Sequence, residues 1–259
     1  MPRNYVTQGI IFSIKPQGEN NSSVGFMTKD NGLVYATLYG GPKSKLRSLV
    51  SLWNSGTAYL YCKEGSDISK NVKVTDFDVQ NYHLTFRENL YKTYAASLAA
   101  ELIIKTKCAG STEKCWYLVS GFFDGLEFAS GRQCATGTVR FLWRYLDLLG
   151  IRPEISHCIL CGREFFTGNS SGDRVLYNPV ENGFTCSFCA EQDKKAHTFI
   201  LSLEAARYLY AVSELSPAAV RPLPVSDDSL SEIKRLVFFL VEQASGTKLK
   251  TLETGTGIL

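Results

Sequence analysis

HCILCGREFFTGNSSGDRVLYNPVENGFTCSFCA, residues 157–190, carries two Cys-x-x-Cys pairs, Cys158/Cys161 and Cys186/Cys189. A Cys-x-x-Cys on a tight turn aims two sulfurs at one point, and two such turns supply the four thiolates that tetrahedral Zn²⁺ takes. Gly162 and Gly183 stand beside the pairs, as tight knuckle turns require. Between the pairs, Arg174–Tyr177 reads as a short strand, with turn signals at Gly168–Gly172. A redox dithiol needs one pair rather than two. An iron–sulfur cluster also takes four cysteines, but paired knuckles favour zinc. Four cysteines close the coordination shell, whereas a catalytic zinc keeps a position open. The segment therefore reads as a structural zinc module at 158–193, with His157 an ordinary surface histidine beside it. Two basic side chains (Arg163, Arg174) face five acidic ones (Glu164, Asp173, Glu181, Glu191, Asp193) in that module. Such a balance makes a poor phosphate binder, so the work is expected elsewhere.

Working outward, the 259 residues exceed one small core and suit two or three domains. The hydrophobic share of 44% and charged share of 20% are those of a soluble protein, and a net charge of +3 identifies no partner. No apolar run approaches the roughly 20 residues that cross a bilayer. The start, MPRNYVTQGIIFSIKP, lacks the apolar core and cleavage site of a secretory signal. The expectation is a cytoplasmic protein with no membrane contact, in a compartment where thiols stay reduced and disulfides are rare. Cys62, Cys108, Cys115 and Cys134 lack ligand spacing and read as small buried side chains.

The N-terminal third is rich in strand-forming residues. Residues 5–15, 22–29, 32–38, 57–62 and 72–79 read as five short strands, with Asp30–Asn31–Gly32 a hairpin signal between the second and third. Five strands in about 80 residues without a long helix suggest a small barrel of the OB type, spanning 1–80. Between strands three and four, YGGPKSKLRSLVSLW (39–53) places Lys43, Lys45 and Arg47 on a loop, and no acidic residue lies between Asp30 and Glu64. Alternating basic residues on a barrel loop track a phosphate backbone. Tyr35, Tyr39, Trp53, Tyr59 and Tyr61 offer stacking faces for bases. The bland alternative is that the charges are solvated and the aromatics are core.

Helical periodicity dominates the remainder of the chain. Leu90, Tyr94, Leu98 and Leu102 recur at i+4 steps within 87–106, the pattern of an amphipathic helix. Residues 113–129 and 134–149 read as two more, the second closed by Gly150 and Pro153. Leu203–Ser213 and Leu230–Ala244 read as helices on either side of a Pro-rich connector, Ser216–Pro224. The expected architecture is thus α+β and multidomain. An OB-fold barrel (1–80) precedes an α-helical domain in two parts (81–157 and 194–259), with the four-cysteine module inserted between them and the two helical parts packed together. Arg140 and Arg144 are i, i+4 partners amid Phe141, Trp143 and Tyr145. That pair suits either an acidic-hydrophobic peptide or a surface role beside core aromatics.

This order of parts resembles the RecO family of bacterial recombination mediators. Gly9–Ile10–Ile11 in the first strand is similar to that family, as is Gly40–Gly41–Pro42–Lys43–Ser44–Lys45–Leu46 in the basic loop. Arg140–Phe141–Leu142–Trp143–Arg144 followed by Leu149–Gly150–Ile151–Arg152–Pro153 resembles its helix leading into the cysteines. Gly246–Thr247–Lys248–Leu249–Lys250–Thr251 resembles its C-terminal string. The likeness covers nearly the whole chain and rests on the order of motifs. Two positions depart from it: Tyr39 or Gly40 stands where a basic residue is usual, and Thr251 replaces a serine. The resemblance implies a non-enzymatic DNA repair and recombination factor that binds single- and double-stranded DNA and anneals complementary strands. With RecR it would help load RecA onto DNA coated by single-strand binding protein (SSB), whose acidic C-terminal tail it would bind. By position, Lys43, Lys45 and Arg47 become DNA contacts, and Arg140 and Arg144 candidates for the tail.

Two other classes compete. A metal-dependent enzyme needs an open metal site or clustered carboxylates, and the chain has neither a His-x-Glu beside the cysteines nor a His-Glu-x-x-His among its three histidines. An RNA-binding or ribosome-associated zinc protein also combines a barrel with a zinc module and stays open on composition.

Overall fold

The structure, a computed structural model, describes residues 3–41, 44–62, 72–166, 174–192 and 199–259. Along the chain the elements are β1 (Arg3–Gln17), β2 (Asn21–Thr28), β3 (Gly32–Leu38), α1 (Lys45–Leu49), β4 (Ser55–Cys62), β5 (Val72–Asn81), α2 (Thr85–Glu88), α3 (Leu90–Lys105), α4 (Thr112–Phe128) and α5 (Arg132–Leu148). They continue with β6 (Arg174–Asn178), β7 (Gly183–Cys186), α6 (Ser187–Gln192), β8 (Phe199–Ser202), α7 (Leu203–Glu214), α8 (Pro217–Val220), α9 (Asp227–Ser245) and α10 (Lys250–Thr254). These residues group into two compact units, 1–135 with 248–259, and 136–247. The first helices after the barrel belong to the barrel's unit, and the last long ones to the cysteine module's.

In the first unit β1 to β5 close a barrel in the order β1-β2-β3-β5-β4. All pairings are antiparallel except β3 with β5, which run parallel at Ala36↔Val72 and Thr37↔Lys73. That five-stranded barrel is OB-like. Alternation sends Ile11, Val24, Phe26, Val34, Leu60 and Phe77 into the core. The Asp30–Asn31–Gly32 turn forms as its composition predicts: Gly32 has φ 65°, and Thr28 Oγ1 accepts from the Asn31 amide at 3.2 Å. A bulge between Ile11 and Ser13 breaks the alternation of β1. Ile11 stays in the barrel core while Phe12 turns onto Phe123 of α4, ring centroids 5.9 Å apart.

Phe123 anchors the helices of this unit. Its ring meets those of Phe12, Trp53, His83, Phe86 and Phe122 at 5.3–6.1 Å between centroids. Trp53, read from sequence as a stacking face, is 7% exposed with φ 71°, its carbonyl 2.7 Å from His83 Nδ1. It is core. Helix α3 also departs from its amphipathic reading: Leu90 is 60% exposed, while Ala95, Ala96, Leu98, Ala99, Ala100, Leu102 and Ile103 are buried. Alanines bury without a bulky stripe, so α3 is enclosed on several sides by α2, α4, α10 and β1. Cys62, Cys108, Cys115 and Cys134 are buried thiols, as expected.

The C-terminal string is tied down by Glu101 on α3. Its carboxylate accepts from the Lys250 amide (3.0 Å), the Thr251 amide (2.9 Å) and Thr251 Oγ1 (2.7 Å), capping α10. Thr251, where the resemblance implies a serine, keeps the hydroxyl this bond needs. Burial pushes the Glu101 pKa up, but the bonds from Thr251, Lys250 and Lys105 together outweigh it and hold the pKa below its ordinary 4.5. The stabilisation is therefore fully present above that ordinary value and is lost as pH falls through the lower folded value. Glu101→Gln is expected to cost about 1–3 kcal/mol, read as a lower urea midpoint at pH 7. The gap to wild type should close on acidification below about pH 4.5.

In the second unit β7-β6-β8 form an antiparallel sheet. Helices α7 and α9 cap each other. Each opens on a serine whose side chain accepts from its own first turn, Ser202 from the Ala205 amide and Ser226 from the Ser229 amide. Glu232 of α9 accepts from the Ser202 amide at 2.7 Å, and Glu204 of α7 from the Ser226 amide at 2.8 Å. Pro217 opens α8 inside the Pro-rich connector, where its missing N–H costs nothing.

Candidate metal centre and nucleic-acid interface

The first knuckle is a turn from Cys158 to Arg163. The Gly162 amide donates to the Cys158 carbonyl (2.8 Å) with Gly162 at φ 71°, a conformation that favours glycine. The Cys158 amide donates to the Arg163 carbonyl (2.8 Å), and the Ile159 amide to Phe184 of β7 (2.9 Å). That second bond locks the turn to the strand carrying Cys186. It needs Gly183, where a Cβ would sit 2.5 Å from Ile159 Cγ2. Cys186 ends β7 and Cys189 lies in the first turn of α6, so strand end and helix start form the second knuckle.

The four sulfurs all lie within 4.8 Å of one another, with Cys161 and Cys186 4.0 Å apart. Four thiolates around zinc at about 2.3 Å place sulfurs roughly 3.8 Å apart, so the set fits a tetrahedral ion after small movements. Burial raises the Cys158 pKa, but amide donors from Cys186, Cys161 and Leu160 outweigh it and hold the thiol at about 7. Burial pushes Cys186 up, and burial with hydrogen bonding to the neighbouring cysteines pushes Cys189 up to about 12. Sulfurs this close cannot all ionise unless a cation offsets their repulsion. Among the described residues, no other group of three or more His, Cys, Asp or Glu side chains converges closely enough to hold a metal. His157 stands outside the set: it is half-buried, its backbone forms a single antiparallel β-bridge with that of Glu164, and its Nδ1 lies 2.9 Å from Ser156 Oγ. Gly168–Gly172, Asp173 and Asp193, singled out in the sequence, lie outside the described residues.

The basic candidates are differently placed. Lys43 lies outside the described residues. Lys45 is exposed as the first residue of α1, a short helix in what the sequence presents as a loop. Arg47 is half-buried, and its guanidinium donates to the Gly40 carbonyl (3.1 Å) and Ser22 Oγ (3.3 Å), clamping the segment onto β2. Arg140 donates to the Thr136 carbonyl (3.1 Å) and Oγ1 (3.2 Å) on its own helix. Arg144 donates to the carbonyls of Val212 (3.3 Å) and Leu215 (3.0 Å), satisfying the C-terminal end of α7. Burial, then the neighbouring Arg140, lowers its pKa. Phe141, Trp143 and Tyr145 are buried, with Trp143 Nε1 donating to Ser213 Oγ at 3.0 Å, so they are core rather than groove. Of the barrel tyrosines, Tyr35 and Tyr39 are exposed, and Tyr59 donates to the Asp78 carboxylate at 3.0 Å. Two exposed lysines on the barrel wall, Lys15 and Lys73, were not singled out by the sequence. Their only signal is that alternation places both on the outward face.

Comparison with known proteins decides what this assembly is. The family described as Recombination protein O C terminal matches residues 87–253, well over half of the chain. The chain belongs to the RecO family. The match runs through α3 into α10 and includes all four clustered cysteines, while relatives that align over 94–97% of this chain extend the likeness into the barrel. DNA repair protein RecO of Bacillus velezensis is 26% identical over 255 residues, covering 94% of this chain and 91% of its own length. DNA repair protein RecO of Bacillus subtilis is 22% identical over 249 residues, with shares of 94% and 91%. That of Lactobacillus acidophilus is 27% identical over 161 residues, with shares of 61% and 62%. Among the described residues no helix is long and apolar enough to cross a membrane.

Proposed function

We propose that this RecO-family chain is a recombination mediator that acts by binding and annealing DNA rather than by catalysis. The observation that carries the reading is an OB-like barrel with a basic loop, joined to a segment that matches the family over 87–253. Annealing two polyanions needs charge neutralisation and exposed base faces, and no nucleotide hydrolysis. Lys45, with Lys43 beside it in sequence, supplies phosphate contacts at the barrel edge, and Arg47 holds that segment in place. Cys158, Cys161, Cys186 and Cys189 would hold a structural Zn²⁺, and its coordination by all four thiolates would join the two knuckles. Their four-sulfur shell leaves no ligand position for a reacting water, which supports a non-enzymatic role. The partners in this reading are single- and double-stranded DNA, RecR, the acidic C-terminal tail of SSB and, indirectly, RecA, in the bacterial cytoplasm at the nucleoid. Arg140, the less engaged of the α5 pair, is the better candidate for the tail, since Arg144 already serves α7.

Charge reversal tests the loop. Lys43→Glu with Lys45→Glu is expected to weaken single-stranded DNA binding and to flatten its dependence on log[salt] by about 0.7 for each phosphate no longer neutralised. Fluorescence anisotropy across a salt series reads both. Unchanged affinity and slope in the double variant would reject the loop as a DNA contact.

A further inference from the structure

We infer that the outer wall of the barrel carries a base-stacking platform for single-stranded DNA, formed by Tyr35 resting on Gly25 and Tyr39 beneath Lys73, with Lys15 and Lys73 taking phosphates on either side. The inference deepens the DNA-binding reading and rests on it.

The strand register assembles the surface. Lys15 pairs with Ser23, Ser23 with Thr37, and Thr37 with Lys73, so one lateral row crosses β1, β2, β3 and β5. Val24, Ala36, Ile14 and Val72, the neighbours of these residues along their strands, pack into the barrel core, so the row itself faces outward. With strands about 4.8 Å apart, the two lysines flank a strip roughly 14 Å wide. The floor of the strip is hydroxyl-bearing: Ser23, and Thr37, whose Oγ1 donates to Gln17 Oε1 at 3.3 Å.

Tyr35 stands one outward position along β3 from Thr37. It pairs across β2 with Gly25, which in turn pairs with Ser13. A side chain at residue 25 would run into Ser13 Oγ and come within 3.1 Å of Tyr35 Cε1. Ser13 Oγ is the main obstacle to a side chain there, and the tyrosine ring rests close over the bare backbone. The ring gains support from the sheet and still exposes 43% of its residue surface. Tyr39, just beyond β3, is 51% exposed, and Lys73 Nζ lies 5.1 Å from its ring centroid. An aromatic face on a rigid sheet with a cation beside it is what a base and its phosphate recognise together.

The charge pattern selects the occupant. Outward positions of β1 beyond the bulge, of β2 and of β3 carry no Asp or Glu. Among the described residues, the acidic groups nearest in sequence are Glu19 in the β1–β2 turn, Asp30 in the β2–β3 turn, where it accepts from Thr7 Oγ1 at 2.7 Å, and Asp76 and Asp78 further along β5, where Asp78 engages Tyr59. Tyr59 therefore sits among carboxylates and is excluded from the platform, and Trp53 is excluded by burial. Duplex bases are already stacked, so the tyrosines add affinity only for single strands. The lysines serve both.

Fluorescence anisotropy with labelled dT20, a 20-base-pair duplex and an oligouridylate of equal length tests this on the full chain. Tyr35→Ala is expected to weaken dT20 binding about 5- to 150-fold and to leave duplex binding unchanged within about twofold. Tyr35→Phe should match wild type. Lys15→Ala with Lys73→Ala should weaken both DNA forms and reduce the dT20 salt slope by about 1.4. If Tyr35→Ala melts early, Tyr35→Leu, which covers Gly25 without an aromatic face, becomes the deciding variant. A folded Tyr35→Ala or Tyr35→Leu variant with unchanged dT20 affinity overturns the platform while leaving the DNA-binding reading standing on the loop. A wild-type chain that binds neither DNA form overturns both. Tighter binding to the oligouridylate than to dT20 overturns DNA as the occupant.

Discussion

Cys158→Ser combined with Cys161→Ser is expected to abolish metal binding and unfold the cysteine module, lowering solubility rather than removing DNA contacts selectively. Strand β7 is held by its pairing with β6, but the first knuckle is a short turn that backbone bonds such as Ile159 to Phe184 tie to it, and α6 has six residues. Zinc binding contributes about 10–16 kcal/mol of apparent free energy in zinc-finger peptides, against a total stability of about 5–15 kcal/mol for a typical domain. Removing two ligands also leaves Cys186 and Cys189 without a cation. Metal content per chain, near-UV circular dichroism and proteolysis between residues 156 and 200 report the outcome. A soluble, fully folded double variant with DNA binding selectively abolished would mean that the cysteines touch DNA, and would contradict a purely structural role.

The second large effect is expected at Phe123. Its ring is fully buried where Phe12 of the barrel, Trp53 of the connection and Phe86 of α2 converge. Phe123→Ala removes that shared surface and leaves a cavity among rigid rings, which costs about 3–5 kcal/mol. For a unit of this size the melting temperature should fall by roughly 6–20 °C. A surface change such as Tyr117→Ala on the same helix should stay within about 0.5 kcal/mol. Equal melting temperatures for Phe123→Ala and wild type would show that α4 is not anchored to the barrel as described.

Neither Phe123 nor Trp53 announces this role in the sequence. Alternation and turn chemistry make the barrel strands legible, because one face of each must enter the core and Asp30–Asn31–Gly32 supplies the positive φ the hairpin needs. The cysteine spacing is legible because coordination geometry permits few alternatives. Trp53 fails because its burial depends on a left-handed backbone at residue 53 and on rings that arrive 30 and 70 residues later. α1 hides behind Gly40–Gly41–Pro42, which reads as a loop, and its five residues are too few to show a period. Arg47 and Arg144 read as free charges; only tertiary structure supplies the carbonyls of Gly40, Val212 and Leu215 that occupy them. α3 misleads differently, since its alanines carry no amphipathic signal yet bury on several sides.

The same limits shape the DNA-binding reading. Lys43, Lys45 and Arg47 look equivalent as three basic residues on a loop. In the structure Arg47 holds the segment and Lys45 is presented to solvent. Lys15 and Lys73, 58 positions apart in sequence, come to flank one outward row through the β1–β2, β2–β3 and β3–β5 pairings. Charge density along the sequence therefore underestimates the basic surface, and strand register recovers it.

The central claim, a mediator that anneals DNA held by SSB, is tested most directly by mixing two complementary oligonucleotides pre-coated with SSB, without nucleotide, with and without this chain. The account predicts faster annealing in its presence, and loss of that acceleration when SSB lacks its acidic C-terminal tail. No acceleration from metal-replete, folded protein would contradict the claim and leave family membership as a statement about fold.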